Sequence, residues 1–174
     1  MAAFYTYLLS SLPMLQFGGK PPFSFERFIE MCRDHVPGED LAQVKQCADD
    51  AFIQKAQSQP ALAQWAVFET SLRNELVRIR AGRKKIDGSK YLRAEGSGDV
   101  AMYHRAMASH RILSPVESEK FLDGERWLRL EELSLGHFFD CDALIVYALK
   151  LRILLRWDII DRADKQEALE RILA

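Results

Sequence analysis

The chain has 174 residues, of which 48% are hydrophobic and 28% charged, a mixture that can build a core and excludes a disordered type. At this length one domain spanning 1–174 is the expectation, with about 70% of the unfolded chain's surface available for burial. Lysine and arginine number 24 against 25 acidic residues, a net charge of −1, so no global field draws the molecule to nucleic acid or an anionic membrane.

The opening run, Phe4 to Leu12, is short and apolar. Tyr5 and Tyr7 would suit a strand, but Leu8, Leu9 and Leu12 stand at helical spacing from Tyr5, and a helix closed by Pro13 is expected. Gly18 to Ser24, GGKPPFS, is a turn, because its glycines and prolines rule out a regular element. Ser24 then offers a hydroxyl to cap a helix of Phe25 to Val36, with Phe25, Phe28, Ile29 and Cys32 on one face. Pro37-Gly38 is expected to stop it. The next helix is expected from Leu41 to Gln57, through Leu41, Val44, Ala48, Ala51 and Phe52.

A longer helix is expected from Pro60 to about Arg83. Leu62, Trp65, Glu69, Leu72, Leu76 and Ile79 form a heptad-like seam in it, with Glu69 as its polar member. Residues 83–99, RKKIDGSKYLRAEGSGD, read as a flexible connector by their Gly and Ser content. Asp99 can cap a helix of Val100 to His110, with Met102, Ala106 and Met107 on its apolar side. Ser114-Pro115-Val116-Glu117 is a capping box, with Ser at the cap, Pro at the first helical position and Glu three residues after Ser. The helix it opens runs through Phe121, Leu122, Trp127, Leu128, Leu130 and Leu133 to Gly136, with a kink or break at Asp123-Gly124 considered.

Phe138 to Ile160, FFDCDALIVYALKLRILLRWDII, is apolar nearly all the way round, and such a helix is normally a buried one. Lys150, Arg152 and Arg156 interrupt it too early for a membrane span, which needs about 18 apolar residues in a row. A short amphipathic helix is expected after it, from Asp164 to Leu173. No stretch alternates as a strand does. The fold class is therefore all-α, an irregular bundle of seven or eight helices around a buried helix near 139–160.

Few residues point to chemistry. Cys32, Cys47 and Cys141 are widely spaced inside apolar segments, which suggests neither a disulfide framework nor a zinc site but buried free thiols in a reducing compartment. The start lacks the basic region of a secretory signal, so a cytoplasmic protein is expected. Trp65, Trp127 and Trp157 are expected in the core. Among the imidazoles, His104 and His110 do not share a helical face, and no HExxH pattern exists. His137, Asp140 and Asp142 form the best metal-like cluster, but Asp140 stands where a helix begins and is better read as its cap. Gly18-Gly19-Lys20 lacks phosphate-loop spacing. No catalytic residue, cofactor or metal is assigned.

The basic run Arg78, Arg80, Arg83, Lys84, Lys85, Lys90 and Arg93 stands against Asp87 alone, with Tyr91 among it. Such a patch can hold an anionic partner, with the ring available to stack on a base. Its bland alternative is a helix C-terminus, where cations favour the dipole, running into a solvated loop.

Two stretches carry a resemblance. YTYLLSSLPMLQFGGKPPFSFERFIEMC (Tyr5 to Cys32) and FFDCDALIVYALKLRILLRWDIID (Phe138 to Asp161) resemble an uncharacterised bacterial family encoded beside V/A-type rotary ATPases. The pattern SLPML followed by PPFS carries that likeness. The tyrosine-rich start and the helix around Tyr147 to Leu151 are also distantly similar to the d-type (C-type) subunit of those ATPases, an all-helical protein between rotor stalk and membrane ring. The resemblance implies a non-enzymatic accessory or structural component with a coupling or assembly role in proton or ion transport, corresponding to one lobe of that larger protein. V/A-type ATPase subunits would be its partners at the cytoplasmic face of the membrane, with no DNA, and Gly18 to Ser24 and Arg78 to Arg93 are where contact is expected. The alternatives are a binding module for an anionic ligand or nucleic acid through 78–93, and an enzyme around His137, Asp140 and Asp142.

Overall fold

In the computed structural model, residues 5–49, 59–93 and 100–173 are described, the last ten of them by backbone only. Among the described residues the chain forms seven α-helices, one 3-10 turn and no strand. The helices are α1 (Thr6–Ser11), α2 (Phe25–Arg33), α3 (Gly38–Gln46), α4 (Pro60–Lys84), α5 (Val100–Arg111), α6 (Pro115–Leu133) and α7 (Cys141–Leu173); the 3-10 turn is Ser89–Tyr91. The all-α expectation holds.

Several starts follow from local chemistry. The Ser24 hydroxyl accepts the Arg27 N–H at 3.2 Å and opens α2. Ser114 accepts the Glu117 N–H at 3.3 Å at the head of α6, as a Ser-Pro-x-Glu start dictates. At the start of α4, Pro60 is preceded by Gln59, whose buried side chain accepts the Leu62 N–H at 2.6 Å.

Several boundaries differ from the sequence expectation, among them the end of α6, which stops at Leu133 and not at Gly136. Helix α2 ends at Arg33, and Pro37-Gly38 does not merely stop it: Pro37 is the N-cap of α3 and Gly38 its first residue. A proline ends the preceding helix and pre-sets φ for the next, so one dipeptide serves both. Helix α3 ends at Gln46 and is followed by a turn at Cys47 and Ala48; the expected continuation through Ala51, Phe52 and Gln57 lies outside the described residues. Helix α6 passes Asp123-Gly124 unbroken. The core helix does not stop at Ile160 but runs on to Leu173 as one element, absorbing the separate helix expected from Asp164. No Gly or Pro occurs in that span, and an Arg162–Asp158 pair at 2.7 Å spans one turn of the continuation.

The chain divides into two compact units. One comprises residues 1–52 and 130–174, and the other 53–129. In the first, α2 and α3 pack on each other and both pack on α7. Its core is made of Leu8, Phe28, Cys32, Val44, Leu144, Ile145, Ala148, Leu151 and Leu154, all buried.

The charges that interrupt α7 each have a place. Lys150 approaches Glu131 at 3.7 Å; burial still holds its ammonium below the ordinary lysine value, with Glu131 opposing. Arg152 donates to the carbonyl of Cys47 just past α3, where a helix end presents unpaired carbonyls. Arg156 is exposed, its guanidinium 5.8 Å from the Trp157 ring centroid. Trp157 itself is half-buried, while Trp65 and Trp127 are in the core.

In the second unit α4 packs most closely on α5. The expected seam is partly a core face: Leu62, Trp65 and Leu72 are buried, Leu76 and Ile79 partly so. Glu69 is the polar member for a reason that no period reveals. It receives Arg126 Nε at 2.7 Å, and the same guanidinium reaches Asp123 at 2.8 Å.

Candidate functional site

The basic segment begins on the last turns of α4. Its first cation, Arg78, is paired with Glu75. Helix α4 then ends in a left-handed residue, Lys85 at φ 53°, and the chain turns back. Ile86 N–H donates to Ala81 O at 3.1 Å, and Asp87 accepts both the backbone N–H and the hydroxyl of Ser89, at 2.9 and 2.7 Å. Those bonds hold the Asp87 carboxyl below the usual carboxylate range. Gly88 lies so close to α4 that a Cβ there would sit 2.8 Å from the Ala81 Cβ.

Farther along, the buried Asn74 side chain closes a two-bond clamp on Arg93. Its amide donates to the carbonyl at 2.7 Å, and its oxygen accepts the N–H at 2.9 Å. The stretch from Lys85 to Arg93 is thus tied back to α4 at both ends. The remainder of the expected connector, 94–99, lies outside the described residues. The two helices that the connector joins, α4 and α5, belong to the same unit.

This folding sorts the basic residues. Lys90 lies over Tyr91, Nζ 4.9 Å from the ring centroid, so the aromatic expected to stack on a base already carries a cation. Arg93 is anchored by its backbone. Arg80 and Arg83 are exposed and line an open cleft of about 280 Å³, while Lys84 and Lys85, next in the chain, are exposed outside its lining. Leu76 and Ile79 form the α4 wall of the cleft; Ser109, His110, Ile112, Leu113, Pro115, Ser118 and Glu119 complete it. Ser109 is buried and shares a 2.7 Å hydroxyl contact with Ser118, whose hydroxyl also donates to the Ser109 carbonyl at 3.0 Å. The cleft was not legible in the sequence, since its wall joins residues about thirty positions apart through the α4–α5 packing.

The cluster around His137 belongs to the other unit. His137 Nδ1 stands 2.6 Å from Asp140 Oδ2 and 3.6 Å from Asp142. The hydrogen bond to Asp140 holds the imidazole above its ordinary value, with partial burial opposing and both carboxylate charges assisting. Asp140 also spends its second oxygen on the Ala143 N–H at 3.0 Å, capping α7. Among the described residues no group of three or more His, Cys, Asp and Glu side chains is arranged to hold a metal ion. The thiols are quiet. Burial pushes Cys32, Cys47 and Cys141 each up to about 12, and thiolate chemistry at neutral pH is thereby suppressed.

The two stretches that carry the sequence resemblance meet in this same unit. Tyr147, in the second turn of α7, donates its hydroxyl to the Pro13 carbonyl at 3.0 Å. Its ring lies 5.3 Å from Phe28 and 6.4 Å from Phe23, and Phe23 stacks on Phe28 at 6.4 Å. Such separations fall in the favourable range for aromatic pairs. The Pro13 turn, the PPF turn and the Tyr147 helix are therefore one packed cluster. Periodicity and spacing mark each stretch by itself and have no means of joining them. Near the start of α7, Leu135 and Phe138 are 76% and 71% exposed, so this unit also presents apolar side chains to solvent.

Compared with known proteins, the chain matches no family model, no curated protein and no solved structure. No helix among the described residues is long and apolar enough to cross a membrane.

Proposed function

We propose that the chain is a non-enzymatic helical accessory or structural component of a V/A-type rotary ATPase, with a coupling or assembly role like that of the d-type protein between stalk and membrane ring. The observation that carries this reading is the cluster of Pro13, Phe23, Phe28 and Tyr147. The resemblance lies in two sequence stretches more than a hundred residues apart, and a chance likeness in separate stretches has no reason to converge on one cluster. Here they share a core, so they are parts of one unit. The same unit offers exposed Leu135 and Phe138 as docking groups, in keeping with binding in place of catalysis. His137, Asp140 and Asp142 are occupied with one another and with capping α7, an arrangement that explains them without a reaction.

The test is purification of the tagged chain from its native host in mild detergent, followed by identification of its partners. Recovery of catalytic and stalk subunits in fixed ratio marks a permanent component. Recovery in traces marks an assembly role. If no part of the ATPase is recovered, the reading is overturned.

A further inference from the structure

We propose that the cleft at the C-terminal half of α4 is a docking site for an acidic protein segment bearing an apolar anchor residue. The site lies wholly in the 53–129 unit and does not depend on the rotary-ATPase reading, which the other unit carries.

Charge and shape select the occupant. Three arginines of this unit are matched by carboxylates: the exposed Arg78 by Glu75, and the half-buried Arg105 by Glu125 and Arg126 by Glu69 and Asp123. Arg80 and Arg83 are different, for no carboxylate among the described residues pairs with them, and they project along a wall built from Leu76 and Ile79. Among the described residues Glu119 is the one carboxylate at the cleft, and it has an interaction of its own. Two guanidiniums beside apolar side chains match a carboxylate next to an apolar group, because a guanidinium grips a carboxylate in a two-pronged fork. At the mouth, Leu113 is 100% exposed, an apolar side chain with no burial partner of its own.

The cleft, open and about 280 Å³ in volume, has room for an anchoring side chain. Lys84 and Lys85 follow Arg83 in the chain and are exposed, further cations for an extended acidic segment. A nucleic acid is less well served. Its binding leans on aromatic platforms, and the Tyr91 ring is already engaged by Lys90.

The experiment uses the full chain and fluorescence anisotropy with a labelled dodecapeptide of alternating Glu and Leu. A Glu/Ser dodecapeptide and a dodecamer of uridine serve as comparators. The expected result is saturable binding of the Glu/Leu peptide, weakened at least about tenfold by Arg80→Glu with Arg83→Glu, as for central interface arginines. Leu113→Ser, at a side chain that contributes nothing to the core, is expected to weaken the Glu/Leu peptide while leaving the weak binding of the Glu/Ser peptide unchanged. The proposal is overturned by absence of binding up to about 1 mM, the weak limit of specific recognition, or by binding indifferent to these variants. Tighter binding of the uridine oligomer, lost in the same arginine variant, also overturns it and assigns the cleft to nucleic acid.

Discussion

Arg126 shows how one side chain organises its surroundings. Burial alone would lower the pKa of its guanidinium, but Glu69 and Asp123 more than offset that and raise it. Asp123 is only 1% exposed as a side chain, so removing the cation takes the charge partner from a buried carboxylate. Arg126→Met is expected to cost about 3–5 kcal/mol, the usual consequence of breaking a buried pair from one side. Urea unfolding followed by circular dichroism measures it, and a loss below about 1 kcal/mol would place the pair among surface salt bridges. The sequence marked Glu69 as the odd member of a seam but not its partner, since the two are 57 positions apart.

His137 makes a second prediction at this scale, with its sign set by the raised imidazole pKa. Proton binding is favoured in the folded state, so the contribution is fully present below the unfolded value of about 6.5. It is lost as pH rises through the folded value above that. Relative to His137→Gln, the native protein should therefore have its largest advantage in thermal midpoint in mildly acidic buffer, shrinking towards mildly alkaline pH. A constant difference across that window would show that the Asp140 contact does not discriminate between the protonation states.

At the scale of elements, the fold-back after α4 makes a paired prediction about two glycines. Gly88→Ala forces a Cβ against Ala81 and should destabilise by about 1–3 kcal/mol, as overpacking does. Gly82→Ala sits in the last turns of α4 with nothing within 4 Å of the new Cβ. It should stabilise by about 0.5–1 kcal/mol, since Gly costs that much in a helix. Equal effects of the two would mean that 85–93 does not lie against α4.

What the sequence revealed of these elements follows from range. Ser24, Pro60 and Ser114 marked their helix starts because a cap acts within three residues. The continuation through 160–164 runs against the expected boundary, because a span without Gly or Pro has nothing to end a helix. Residues 83–99 read as loose from their Gly and Ser content, because composition cannot see the Asn74 clamp on Arg93, a contact 19 positions long. Asp123-Gly124 looked like a break, yet Leu122, Trp127 and Leu130 are buried around it, and tertiary packing outweighs a single glycine of about 1 kcal/mol. The basic run could be seen, but not which of its members line a cleft, because Ser109, His110 and Ile112 arrive through packing.

For the molecule as a whole, the first 52 residues and the last 45 form one unit, and residues 53–129 another. The division places the functional reading and the cleft on separate parts: the cluster of Phe23, Phe28 and Tyr147 with the Pro13 carbonyl on the first, Arg80 and Arg83 on the second. A chain with two such units can hold one partner through each, and variants at the cleft should leave the Tyr147 unit folded. Membership of a rotary ATPase is tested most directly by native mass spectrometry of the detergent-solubilised ATPase, comparing complexes from the native host with those from a strain lacking this chain. The expected result is that the whole complex or one of its subassemblies loses an integral multiple of 20.0 kDa in the deletion strain. Identical masses in both strains, with the chain found apart from every ATPase species, would contradict it.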